Sequence, residues 1–230
     1  MSCFLLVVAV WVFSVCLHEY GHAWAAFRGG DYTVREKGYL SMNPIRYAHP
    51  VTSFLLPMLF LAMGGIGLPG GAVYIEKHRL RSREWETWVS LAGPAMNLVL
   101  AIVIGFLLHW VFLPYWPTHA VTYGMAFLLQ LEISAILFNL IPVPPLDGFQ
   151  ALEPWLPGEW KNRLAPLWNN GMLILFLIFW YVRPVNHAFW AVVYIGSEFL
   201  GIPRELGMNG LINFQEDVHR LTHFQFWGNE

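Results

Sequence analysis

An all-α polytopic membrane protein, with about five spanning helices plus a re-entrant helix/strand hairpin, is the fold class that three observations predict. Of 230 residues, 57% are hydrophobic and 12% charged, with a mean hydropathy of +0.48, whereas a soluble domain has about a quarter of its residues charged. Apolar runs of spanning length alternate with short polar loops. Basic residues gather in particular loops, and tryptophans such as Trp11, Trp24, Trp110, Trp116, Trp180 and Trp190 stand near the ends of apolar runs, where a membrane interface holds amphipathic rings.

The first span runs from about Cys3 to Phe27. A signal peptide is not expected there, because the segment before the apolar run has no lysine or arginine. The following loop, to Pro50, carries Arg28, Arg35, Lys37 and Arg46, which marks it as cytoplasmic and places the N-terminus outside. The stretch from Val51 to Ile75 is apolar but broken by Pro57, Gly64, Gly65 and Gly67, and then by Pro69-Gly70-Gly71; Lys77, Arg79, Arg81 and Arg83 follow. Basic flanks on both sides require an even number of crossings, so this stretch reads as a re-entrant hairpin: a helix going in and an extended piece coming back. Its returning edge, Gly70, Gly71, Ala72, Val73 and Tyr74, is a candidate rail for an extended peptide. Kinked, packed helices are the competing reading.

Spans follow at about Ser90 to Leu113 and Ala120 to Ile141. A shorter pair, Met172 to Val182 and Phe189 to Leu200, reads as a hairpin with Arg183 at its outer turn. Residues 1–203 then form one membrane-embedded domain, and 204–230 a polar cytoplasmic tail. The net charge of −2 gives no reason to expect nucleic acid. Cys3 and Cys16 lie about three and a half turns apart on one helix and are not expected to pair.

The chemistry concentrates in His18-Glu19-Tyr20-Gly21-His22. Residues four apart share a helix face, so His18 and His22 can aim two imidazoles at one ion while the adjacent Glu19 is free to accept a proton from water. Ionisable groups are expensive in an apolar segment unless they are paired or bound to metal. One Zn²⁺ per chain is expected, and it needs a third ligand. Asp147 qualifies, because it ends a span that returns to the cytoplasmic level reached by His22, and Pro142, Pro144 and Pro145 unwind the chain before it. An Asp-Gly turn is the plainer reading of Asp147 alone. Asn139 can donate to an oxyanion or orient a substrate backbone, and it can equally join two helices, as can Asn97. Glu132 faces a polar cavity or marks a tilted helix and is assigned no chemistry. His219 and His223 are also four apart, but they lack the glutamate and lie in the polar tail.

Taken together, His18-Glu19-x-x-His22, Ala92-Gly93-Pro94-x-x-Asn97 and Asn139-Leu140-Ile141-Pro142-x-Pro144-x-x-Asp147-Gly148 resemble the site-2 protease family of intramembrane zinc metalloproteases. Asn43-Pro44, His49-Pro50-Val51 and the Pro57 region also resemble its compact prokaryotic branch without PDZ or CBS domains. The resemblance implies that residues 1–203 are a metalloprotease domain, that His18, His22 and Asp147 bind zinc, and that Glu19 activates water. It also implies an integral protein of a prokaryotic cell membrane that cleaves transmembrane segments, with the active site toward the cytoplasm. Expected partners are a transmembrane protein substrate and membrane lipid, with a second copy or a regulatory membrane protein to gate access. Two rivals stand beside it: a non-catalytic metal-binding membrane protein (a pseudoprotease or sensor) and a zinc transporter. The first has no use for Glu19, and the second needs further ligands along a path.

Overall fold

The computed structural model describes residues 2–43 and 73–222, and among these every regular element is helical. Helix α1 (Ser2–Gly29) has 28 residues, about 42 Å at 1.5 Å per residue, which exceeds the hydrocarbon thickness of a bilayer. No proline or glycine interrupts it from Phe4 to Tyr20. It stops at Gly30, whose φ of 114° suits a residue without a Cβ. Asp31 then starts the single turn α2 (Thr33–Glu36), its Oδ1 accepting from the Thr33 N–H at 3.0 Å and hydroxyl at 2.6 Å.

Of the expected re-entrant hairpin, Val51 to Ala72 lie outside the described residues, and with them Gly70, Gly71 and Ala72. Val73 to Glu76 have no regular structure and lead into a 3₁₀ turn, Lys77–Arg79. Helix α3 (Arg83–Leu107) is prolonged by a π-helical stretch, Leu108–Phe112, and a last turn, Leu113–Tyr115. Helix α4 (Ala120–Asn139) is buried along most of its length and forms the centre of the bundle. Then come α5 (Asp147–Leu152), α6 (Gly158–Leu164), α7 (Leu167–Tyr181), α8 (Arg183–Phe199) and α9 (Arg204–Thr222).

α1 and α3 run antiparallel and very close. A Cβ on Gly21 would lie 2.7 Å from the Ala92 carbonyl oxygen and 2.8 Å from Met96, so only glycine permits this approach. α4 runs parallel to α1 on the third side, with Gly124 against Cys3 and Glu132 near Ser14 through Asn97. The half of the bundle bearing Cys3 has an apolar core of Val7, Trp11, Ile104, Leu108, Phe127 and Leu128. At the other end Ala23, Ala26, Val34 and Val89 pack together, while Phe138, Leu146, Leu175 and Phe179 pin the chain that leads into α5. On α3, Leu98, Val99, Ile102, Val103 and Phe106 stay exposed, as a surface facing hydrocarbon must.

Among the described residues three helices are long and apolar enough to cross a membrane, and up to four if α7 and α8 count as one. The sequence reading of about five counted that pair separately. Its members have only 15 and 17 residues, short of the roughly 20 that a crossing needs. They meet at 93°, the geometry of a broken crossing or a re-entrant bend. Phe179 and Phe189 pack against each other and into the cluster around Phe138, so Arg183 stands near the α5 half of the bundle and not at a far turn. From there α8 passes Ile133 and brings Leu200 onto Gly105.

The segment read as the start of a polar tail is helix α9. Its length hides an apolar stripe: Leu206, Leu211, Phe214 and Val218 pack on the first core. Phe214 stacks on Phe4 and the Phe4 N–H donates to Asp217 at 3.2 Å, so α9 ends beside the start of α1.

Candidate metal centre

One turn apart on α1, His18 and His22 bring their Nε2 atoms to 3.0 Å from each other. Asp147, the first residue of α5, places Oδ2 3.2 Å from His18 Nε2 and 3.4 Å from His22 Nε2. Two ties hold Asp147 there. Leu146 is buried among Phe138, Leu175 and Phe179, and Thr87 of α3 donates its hydroxyl to the Ala151 carbonyl at 2.7 Å.

The imidazole protons decide what this cluster is. His22 Nδ1 faces the Val89 carbonyl at 2.7 Å and His18 Nδ1 faces the Asn97 side-chain oxygen. Both partners are acceptors, so both rings carry a proton on Nδ1 and, as neutral imidazoles, present a lone pair at Nε2. Asp147 Oδ2 is buried and has no hydrogen-bond partner. Two Nε2 atoms and a carboxylate oxygen therefore converge within 3.4 Å of one another, a donor set that a metal cation would satisfy. Two neutral imidazoles and a carboxylate suit zinc and leave a coordination position open. The cradle is shaped for an ion as well: a Cβ on Gly93 would stand 2.3 Å from His22 Nε2 and 2.6 Å from His18 Nε2.

Glu19 is buried next to this cluster but outside it; its Oε2 accepts from the Val73 N–H at 3.0 Å. It lines a cavity of about 300 Å³ together with His18, His22, Asp147, Asn139 and Val73. The structure thus gathers Asn139 and Val73 with the four motif residues. Tyr74 is 68% exposed, and its ring lies 4.8 Å from Lys37 Nζ rather than in the cavity.

An ionic anchor positions Val73. The Glu76 N–H donates to Asp31 Oδ2 at 2.8 Å, and the Glu76 carboxylate binds Arg79 Nε at 2.5 Å and Lys37 Nζ at 3.0 Å. The bonds from Arg79 and then Lys37 hold the Glu76 carboxyl down to about 2.

The roles of two contributors escaped the sequence reading. The Val89 carbonyl is invisible because a backbone atom carries no residue signal. Asn97 was legible as the end of the Ala92-Gly93-Pro94-x-x-Asn97 motif and as an amide able to join helices, but not as the partner of His18 Nδ1.

The profile of Peptidase family M50 matches residues 4–119, half of the chain. This chain belongs to peptidase family M50. The matched segment holds His18, Glu19, His22 and Asn97 and stops short of Asp147. Among M50 relatives, Rip2 of Mycolicibacterium smegmatis, named as a candidate zinc metalloprotease, is 46% identical over 202 residues, 86% of this chain and 75% of the relative. YwhC of Bacillus subtilis, named likewise, is 29% identical over 211 residues, 84% of this chain and 87% of its own. MJ0611 of Methanocaldococcus jannaschii, also so named, is 33% identical over 138 residues, 58% of this chain and 64% of its own. No solved structure matches the chain.

Proposed function

We propose that this chain is an intramembrane zinc metalloprotease in which His18, His22 and Asp147 hold one zinc ion and Glu19 is the general base. The observation that carries this reading is the convergence of two Nε2 atoms and the buried Asp147 Oδ2 beside a carboxylate that is not one of them. Zinc, when bound, supplies Lewis acidity toward the scissile carbonyl and acidifies the attacking water.

The chain's own residues supply the rest. Glu19 takes the proton of the attacking water on its carboxylate and passes it to the leaving amine nitrogen. Asn139, lining the same cavity, offers its amide N–H to the substrate carbonyl or backbone. Val73 and Tyr74, with Gly70, Gly71 and Ala72 as the sequence reading has them, are the stretch along which an unwound peptide would be laid. Its substrates are membrane proteins. We place the scissile bond within or near a transmembrane segment, where the helix must be opened before attack, because its amides are already hydrogen-bonded.

Arg28, Arg35, Lys37, Lys77, Arg79 and Arg81 all lie at the metal-site end of the bundle, which favours a cytoplasmic site and an N-terminus outside. Relatives from bacteria and an archaeon support a prokaryotic cell membrane. Residues 1–203 carry the protease domain. α9 is laid against the half of the bundle that holds the N-terminus, on the far side from the site. Among the described residues the metal-capable groups gather at one point and not along a path, which speaks against a transporter.

The decisive variant is Glu19→Gln. Purified with one zinc per chain, it should lose cleavage of a model transmembrane substrate by a factor of about 10² or more. Cleavage at the wild-type rate by a zinc-replete preparation would overturn the assignment.

A further inference from the structure

Glu132 lies midway along α4 with no exposed surface. A carboxylate at that depth is expensive and marks a function or a specific partner. It is bonded by Ser14 of α1 and by Asn97 of α3, whose Nδ2 donates to Glu132 Oε2 at 2.7 Å and to Ser14 Oγ at 2.9 Å. Both amide hydrogens are thereby used, and the amide oxygen is left facing His18 Nδ1.

The direction of that amide matters. Turned over by half a rotation, Asn97 would present its NH₂ to His18 Nδ1. It would then favour the tautomer protonated on Nε2, the atom aimed at Asp147. Asparagine's two ends are nearly the same shape, so sterics alone cannot choose between them. Glu132 Oε2 accepts from the Asn97 NH₂, and a carboxyl offers an acceptor oxygen there ionised or protonated, so Glu132 selects the end that faces it. His22 needs no such lock, because its Nδ1 is held by the Val89 carbonyl, which cannot be turned over.

We propose that Glu132 is a positioning residue which, through Asn97, fixes His18 in the Nδ1-protonated tautomer and keeps its Nε2 lone pair directed at the metal. The proposal rests on the zinc reading of His18, His22 and Asp147. It spans three helices: Ser14 and His18 on one face of α1, Asn97 on α3 and Glu132 on α4. Glu132 touches neither substrate nor metal. Partners beyond the ligands that orient a metal-bound histidine are a general feature of such sites. Here Glu132, two hydrogen bonds away from the ring, controls which nitrogen is free.

The test is zinc affinity, measured on the purified chain in detergent by competition with a chromophoric chelator, with the visible spectrum of the cobalt-substituted protein as a second readout. Glu132→Leu should weaken zinc binding about 10–100-fold and shift the cobalt bands. Glu132→Gln, which still offers an oxygen to Asn97, should stay within about threefold of wild type. Asn97→Leu should match the loss of Glu132→Leu, and the double variant should be no weaker than the weaker single. Wild-type affinity in Glu132→Leu, or losses that multiply in the double variant, would overturn the proposal. If Glu132→Leu does not fold, Glu132→Gln and Asn97→Leu decide it: equal losses in the two would overturn it. Wild-type protein that binds no zinc, or His18→Ala that binds it as tightly as wild type, would instead sink the metal reading itself.

Discussion

At Gly93 a single methyl group would fall among the two Nε2 atoms of the metal centre, closer than any real carbon contact allows. Gly93→Ala is therefore expected to lower zinc affinity about tenfold or more while leaving the helical circular dichroism of the zinc-free protein unchanged. Full zinc occupancy in that variant at wild-type affinity would show that the rings do not converge on this spot. The same scale shows what a sequence can reveal. His18, Glu19 and His22 are legible because a helix repeats every 3.6 residues and puts i and i+4 on one face. Asn97 and Glu132 are not, because a lone amide or carboxylate in an apolar helix reads equally well as a bridge between helices. Only the three-dimensional directions of their hydrogen bonds separate those roles.

Among the elements, the segment Val73 to Arg79 connects surface charge to the catalytic carboxylate. Its near end donates to Glu19 and its far end is held by Asp31, Lys37 and Arg79. Asp31 is fully buried and accepts three hydrogen bonds. Asp31→Ala should lower stability, since three half-buried donors would lose their acceptor, at up to about 1 kcal/mol each. It should also slow cleavage while zinc stays at one per chain, which thermal denaturation, kinetics and metal analysis on one preparation would check. Glu76 has a carboxyl held below its ordinary value of 4.5, so its contribution is complete above that pH and is lost as pH falls toward about 2. Wild type and Glu76→Gln should accordingly give parallel pH–activity profiles between about pH 5 and 8, the variant a few-fold lower at most. Profiles that diverge there would remove Glu76 from the anchor. The basic residues of this segment were legible as a topology signal. Their second use was not, because it depends on which chain folds back beside them.

Over the whole molecule, the site is made by closing 125 residues of chain between His22 and Asp147, so that one ion would join α1 to α5. Hydropathy and loop charge were enough to read α1, α3 and α4 and to bring Asp147 to the level of His22. They fell short where segments are too short to span alone, as in α7 and α8, whose 93° bend sequence periodicity does not encode. They also fell short at α9, where a polar average conceals one apolar stripe against the bundle. Zinc K-edge X-ray absorption on the purified, catalytically active chain tests the joining of these two halves most directly. Two imidazole nitrogens and oxygen ligands, all at about 2.0–2.2 Å, are expected, with the signal lost in Asp147→Ala. Sulfur at about 2.3 Å, or an unchanged spectrum in Asp147→Ala, would contradict it.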